Sequence, residues 1–115
     1  MDIPHSHATV KVSIIDTSFG ADLPVPMFMG PEIKGFDRIH AVAYAFLVTH
    51  EDSKGEKRKV VFDLGYPKDL DNDFPPFISK AIKEYGGGMT AEKYVSEILT
   101  ENGVALEDIE AVIWR

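Results

Sequence analysis

The chain has 115 residues, 44% of them hydrophobic and 27% charged, values typical of one soluble globular domain or of part of one. Its 19 acidic and 12 basic residues give a net charge of −7, which argues against a nucleic-acid or anionic-membrane surface because phosphate binding needs basic residues. Cysteine is absent, which excludes a disulfide framework, a thiolate nucleophile and cysteine-ligated zinc.

The N-terminal residues show no targeting pattern. They lack the basic and apolar regions of a signal peptide, and no apolar run approaches the ~20 residues of a membrane helix. We therefore expect a cytoplasmic protein with a flexible terminus over residues 1–8. His5 and His7 form an H-x-H pair, which is a common half of a metal site, but no acidic residue or third histidine follows closely enough to complete it.

Three stretches before residue 65 have strand patterns. Residues 9–16 alternate, with Val10, Val12 and Ile14 facing one way, which predicts a half-buried strand in the outer part of a sheet. Residues 41–49 are apolar on both faces, which predicts burial on both sides. Residues 58–64 return after a short charged loop, so these two strands are expected to form an antiparallel hairpin.

Residues 17–40 contain repeated glycines and prolines, which predict a long irregular loop. Loops of this length in a compact domain are usually functional or disordered. The loop also carries apolar side chains, which can form a wall of a substrate pocket or simply cover the edge of the sheet; the pattern favours neither. The pocket candidates are Met27, Phe28, Met29 and Phe36.

Residues 66–73 predict another loop, whose aspartates resemble the start of a calcium-binding loop. Phe74 stands where that loop needs glycine, and Lys80 stands where it needs a bidentate glutamate, so calcium is not expected. One helix is predicted from Pro75 and Pro76 to Tyr85. It is followed by a glycine run that has none of the features of a phosphate loop.

A second helix is predicted from Thr90, as N-cap, to the stop signal at Asn102 and Gly103. A final apolar strand covers residues 111–114. The order β, loop, β-hairpin, α, α, β indicates an α/β or α+β fold with a mixed sheet and helices on one face. The last strand follows a helical crossover, so it is expected beside the hairpin strands.

Two segments together resemble the N-terminal half of a known superfamily. One combines Phe46-Leu47-Val48, the charged hairpin and Val60-Val61-Phe62-Asp63-Leu64-Gly65; the other is Leu99-x-x-x-Gly103-Val104-x-Leu106-x-Asp108-Ile109-Glu110-Ala111-Val112-Ile113-Trp114. Both resemble the metallo-β-lactamase superfamily, in particular its lactonase-like hydrolases. The strand Val12-Ser13-Ile14-Ile15-Asp16 and the Pro31-x-x-x-Gly35 loop fit the fungal branch. The resemblance implies that residues 9–115 form the N-terminal half of an αβ/βα sandwich.

The resemblance also concerns the metal site. In that family the strand matching residues 111–114 continues into Ser/Thr-His-x-His-x-Asp-His, whose side chains bind one or two zinc ions. In this chain Arg115 occupies the next position. The resemblance therefore implies no catalytic and no metal-binding residue here. Asp63 matches an aspartate that supports the metal-site loops without binding metal. The alternative is that Asp63 is a strand-end acid that caps a loop amide.

We therefore expect a fragment of a zinc-dependent hydrolase acting on a small-molecule ester, lactone or thioester. The fragment is expected to be inactive alone, with the zinc ligands lying beyond Arg115. The alternative is a non-catalytic α/β interaction module that folds alone or pairs with a full-length relative. His40 and His50 match no ligand position. Apolar surfaces without partners are expected to promote self-association.

Overall fold

The computed structural model describes residues 6–27, 29–31, 33–85 and 88–114, except for the side chains of Met27 and Tyr85. These residues contain one four-stranded sheet in the order β1-β2-β3-β4. β1 pairs with β2 and β2 with β3 in antiparallel fashion, whereas β4 lies parallel to β3. The mixed sheet, the hairpin and the position of the last strand are therefore as predicted. The strands are β1 (Lys11–Pro24), β2 (Arg38–Glu51), β3 (Lys57–Phe62) and β4 (Ile109–Ile113).

β1 is longer than the sequence pattern indicates, and the predicted loop over residues 17–40 is shorter. Strand pairing continues to Pro24 opposite Arg38, with an irregularity between Ile15 and Phe19. Glycine and proline fail to interrupt β1 because it is an edge strand, where a proline that donates no hydrogen bond is tolerated. A 3-10 turn follows over Val25–Met27.

Asp52 and Gly55 determine the turn of the hairpin between β2 and β3. The carboxylate of Asp52 accepts hydrogen bonds from the backbone amides of Lys54, at 2.8 Å, and Glu56, at 2.9 Å. Gly55 has a φ of 82°, a left-handed conformation that glycine adopts without strain. The charged loop predicted from its composition is thus a tight turn fixed by one aspartate.

Three α-helices follow: α1 (Leu70–Asp73), α2 (Pro76–Tyr85) and α3 (Val95–Glu101). The prediction of a loop over residues 66–73 was wrong at α1, because Asp69 caps that turn by accepting a hydrogen bond from the amide of Asn72. The helix start at the proline pair is confirmed.

α3 begins later than predicted. Thr90 does not cap it, because Thr90 exchanges two backbone hydrogen bonds of 3.0 and 2.9 Å with Gly20 of β1. The carboxylate of Glu97 instead accepts from the amide of Tyr94, at 2.9 Å. The C-terminal end lies where the sequence predicts it, with Gly103 at a φ of 72°.

α3 packs on one face of the sheet and forms the hydrophobic core there. The other face, called the uncovered face below, has no helix across it in the described part of the chain, and its largest side chains are exposed. The described chain is a flat slab of 55 × 39 × 21 Å, and its radius of gyration of 18.1 Å exceeds the roughly 13 Å of a compact domain of this size. The buried core residues are Ile15, Ala45, Val61, Val95 and Leu99.

Candidate functional site

β3 and β4 run parallel and end together at one edge of the sheet. The amide of Asp63, directly after β3, donates to the carbonyl of Ile113 in β4 at 2.8 Å. In open sheets with parallel strands, ligands bind outside the carboxyl ends of those strands. We therefore take this carboxyl edge, built by Asp63, Gly65, Tyr66 and the neighbouring Thr17, as the candidate site.

Asp63 has an unusual backbone. Its φ of 69° lies in the left-handed region, which costs a non-glycine residue on the order of 1 kcal/mol and occurs often at functional sites. Its Oδ1 accepts a hydrogen bond from the amide of Gly65 at 3.0 Å, so the side chain stabilises the turn that follows β3. This contact is the loop-amide cap of the sequence analysis. A role in supporting metal-site loops stays a prediction.

Gly65 is the point of closest approach at the carboxyl edge. Its φ is 67°, and a Cβ atom there would lie 3.2 Å from Cγ2 of Thr17 and 3.6 Å from Cγ2 of Val95. A larger residue at this position would require the side chain of Thr17 to shift, in addition to adopting the left-handed backbone. The Asp63-Leu64-Gly65 sequence therefore ends β3, turns the backbone and lets the edge pack against α3.

Two hydroxyl groups at the carboxyl edge are buried without a hydrogen-bond partner among the described residues, namely Oγ1 of Thr17 and the phenol oxygen of Tyr66. The ring of Tyr66 lies against Phe19, with 4.9 Å between ring centroids. Burial raises the pKa of the Tyr66 phenol. Tyr66 therefore keeps its proton at neutral pH, and both hydroxyls can donate or accept a hydrogen bond.

The irregularity in β1 brings Thr17 into this edge. Oδ1 of Asp16 accepts from the amide of Ser18 at 2.8 Å, and Ser18 has a φ of 54°. This turn directs Thr17 inward, where it is only 1% exposed, and its carbonyl accepts from the amide of Glu92 at 3.0 Å. The sequence pattern indicates neither Thr17 nor Tyr66 as a site residue. The Asp-Thr-Ser sequence, which favours side chain-to-backbone turns, is the one local signal that could have indicated the bulge.

The described residues do not provide a metal site. They contain no group of three or more histidine, aspartate or glutamate side chains placed to hold an ion. Nδ1 of His50 lies 3.1 Å from the carbonyl of Thr9, and Nδ1 of His40 lies 3.7 Å from Asp22 on the surface. His5 lies outside the described residues. What the carboxyl edge offers is a strained aspartate and two hydroxyls that can position other groups.

The predicted pocket loop is only partly described. Phe28 and the side chain of Met27 lie outside the described residues, while Met29 and Phe36 are 46% and 42% exposed. An open cavity of about 690 Å³ lies between α3 and the hairpin end of the sheet, and Met29, Phe36 and Asp63 do not line it. A pocket role for the loop therefore stays a prediction.

Comparison with known proteins gives strong similarity over nearly the whole chain. A gamma-lactamase of Fusarium pseudograminearum is 40% identical over 114 residues, which are 97% of this chain and 27% of that protein. A metallo-hydrolase of Annulohypoxylon moriforme is 36% identical over 116 residues, which are 99% of this chain and 29% of that protein. The chain thus spans between a quarter and a third of the length of these two curated relatives.

A third relative carries a different name. A cytochrome P450 monooxygenase of Penicillium brevicompactum is 34% identical over 118 residues, but these are only 13% of that protein. Haem-thiolate chemistry requires a cysteine ligand, and this chain has none, so the shared segment gives no support to such chemistry here. No protein-family model and no solved structure matches the chain. No helix among the described residues is long and apolar enough to cross a membrane.

Proposed function

We propose that this chain, which belongs to the lactonase-like part of the metallo-β-lactamase superfamily, supplies one sheet and its helices to a zinc-dependent hydrolase. The proposed substrate is a small molecule with an ester, lactone or thioester bond, and the name of the Fusarium relative adds a lactam to this group. The observation that carries the proposal is the 40% identity to that gamma-lactamase along 97% of this chain. The activity is proposed for a protein of the relatives' full length.

In this proposal the chain has a supporting role. The described residues contain no fitting set of metal ligands, so no chemical step is assigned to them. Asp63 is proposed to hold the carboxyl edge in shape through its hydrogen bond to Gly65, so that loops bearing the metal ligands start from a fixed position. Residues 1–115 alone are therefore proposed to be inactive.

The test is an assay of purified residues 1–115 with and without added zinc, against a lactone, a thioester and a γ-lactam. We expect no zinc-dependent turnover and no stoichiometric zinc binding by calorimetry. The matched control is the full-length Fusarium gamma-lactamase on a γ-lactam under the same conditions. Turnover by residues 1–115 that a chelator abolishes would show that the chain has its own metal site and would overturn the proposed inactivity.

A second candidate function is a non-catalytic interaction module. The observation behind it is the uncovered face, because large exposed apolar patches mark sites of protein–protein contact. Such a module is expected to unfold cooperatively on its own or to form a complex with a full-length relative. A heat scan of residues 1–115, and a mixing experiment with the Fusarium relative followed by sedimentation, test these two forms of the hypothesis.

A further inference from the structure

Asn102 and Gly103, at the end of α3, form the one asparagine–glycine pair in the chain. In such a pair the backbone nitrogen of the glycine can attack the side-chain carbonyl carbon of the asparagine, because glycine has no Cβ to obstruct the approach. The side-chain nitrogen leaves as ammonia with the proton of the glycine amide, and a cyclic imide forms. Water then opens the ring to aspartate or isoaspartate, so the reaction needs no other co-reactant. Asparagine is therefore a thermolabile residue.

The fold holds Asn102 and Gly103 in a geometry that opposes this reaction. The amide of Gly103 donates to the carbonyl of Thr100 at 3.0 Å, so the attacking nitrogen is already engaged. Nδ2 of Asn102 donates to the carbonyl of Ile98 at 2.8 Å, which fixes the carboxamide against the helix. Both hydrogen bonds must break before the ring can close, so the reaction requires the last turn of α3 to open.

The cap at this end of α3 connects the exposed pair to the core. It is a complete Schellman motif, in which the amide of Val104 also donates to the carbonyl of Leu99 at 2.9 Å. Leu99 belongs to the buried core, and Val104 packs against that core. Asn102 and Gly103 are exposed to solvent. Water and base therefore reach the pair as soon as the turn opens, and helix ends fray more readily than the rest of a fold.

We propose that Asn102 is a deamidation site which the C-terminal cap of α3 protects, and that its conversion loosens α3. The product has a carboxylate in place of the carboxamide, so the hydrogen bond donated to the carbonyl of Ile98 is lost. The new negative charge lies beside Glu101, at the end of the helix where the macrodipole favours positive charge. An isoaspartate also lengthens the backbone within the cap. The inference does not depend on the proposed hydrolase function.

The composition of the chain provides an internal control. The sequence has two asparagines and no glutamine, so deamidation of the whole chain has only two possible sources. The other asparagine, Asn72, is followed by Asp73, whose side chain obstructs the attack of the backbone nitrogen. Nδ2 of Asn72 also donates to the carboxylate of Asp69 at 2.6 Å. We therefore expect Asn102 to convert well before Asn72.

The experiment is ageing of purified residues 1–115 in mildly alkaline buffer, with peptide mapping by mass spectrometry at intervals. One sample is kept in native buffer, and a second is kept in urea, where the cap of α3 is absent. We expect Asn102 to convert in both samples, more slowly in native buffer by roughly tenfold to a hundredfold. The proposal is overturned if Asn102 converts equally fast in both samples, if it never converts in native buffer, or if Asn72 converts as fast in urea.

The effect on α3 is tested with Asn102→Asp and its matched control Asn102→Ser. Aspartate carries the charge of the product, whereas serine is uncharged and keeps a hydroxyl that can donate a hydrogen bond. Asn102→Asp should melt below Asn102→Ser by roughly 2–5 °C. The aged chain, separated from the unmodified chain by anion exchange, should also melt at a lower temperature, and this measurement serves if the aspartate variant does not fold. Equal melting temperatures in either comparison overturn the proposed loosening of α3.

Discussion

The two faces of the sheet carry similar amino acids but differ in their surroundings. Ile14 and Ile15 are neighbours in β1, yet Ile14 is 66% exposed and Ile15 is 3% exposed. The difference is α3, which places Val95 and Leu99 over the face that contains Ile15. An apolar side chain gains stability only where another element removes it from water. The comparison shows that sequence identifies residues suited to burial, while the tertiary structure decides which of them are buried.

The largest expected effect comes from the adjacent isoleucines. Ile15→Ala removes packed methyl groups from the core and should lower the free energy of unfolding by about 2–5 kcal/mol. Ile14→Ala changes a position that is mostly in water, and should cost the single chain less than about 1 kcal/mol. Urea unfolding at a concentration too low for association measures both. Equal losses would mean that the two faces are equally covered in solution.

The contrast between the covered and uncovered faces also shows which features of the sheet could be predicted from the sequence. The alternation of Val10, Val12 and Ile14 correctly indicated a strand, but these side chains are 55–66% exposed rather than half-buried. For β2 the sequence predicted burial on both sides, and the structure buries Ala45 completely while Val42 is 66% exposed. Periodicity reports which residues share a face. It contains no information about which face receives a helix.

The next largest effect is the difference in stability loss between alanine substitutions at two glycines that share a left-handed backbone conformation. Gly65 and Gly55 both have left-handed φ values, of 67° and 82°, but only Gly65 has side chains within 4 Å of an added Cβ. Gly55→Ala should cost about 1 kcal/mol for the conformation alone. Gly65→Ala should cost about 1 kcal/mol more, because the added Cβ would lie 3.2 Å from Cγ2 of Thr17, whose side chain must shift.

The two variants are to be compared by thermal and urea unfolding of the same preparation. If they lose the same stability, the carboxyl edge is loose enough for Thr17 to move aside. In that case Asp63 and Gly65 do not hold the edge rigidly, and the supporting role proposed for Asp63 would lose its structural basis.

The carboxyl edge was predictable only where its residues are close in sequence. Asp63 and Gly65 follow an apolar run, and this order correctly indicated the end of a strand and a turn. Thr17 reaches the same edge from another strand through an irregularity in β1, and Tyr66 is buried there against Phe19. Contacts between distant segments depend on register and packing, which a single sequence does not specify.

The smallest effect concerns the hairpin end of the sheet, where Arg58 of β3 contacts Glu110 of β4. The hydrogen bond from Arg58, with a smaller contribution from its charge, lowers the pKa of the Glu110 carboxyl. Because the folded pKa lies below the unfolded value, the pair stabilises the fold above about pH 4.3 and loses this contribution as pH falls through the folded pKa. The effect is expected to be small because the pair is exposed to solvent.

Glu110→Gln should therefore reduce the loss of thermal stability between neutral pH and about pH 3, with little change in the fold. The control is Glu84→Gln, since Glu84 is also exposed and its ion pair with Lys80 is long, at 3.9 Å. Melting temperatures across this pH range at low salt provide the measurement. If both variants follow the parent curve, the Arg58–Glu110 pair contributes nothing measurable. In that case the two charges stabilise the hairpin end of the sheet no more than their separate interactions with water do.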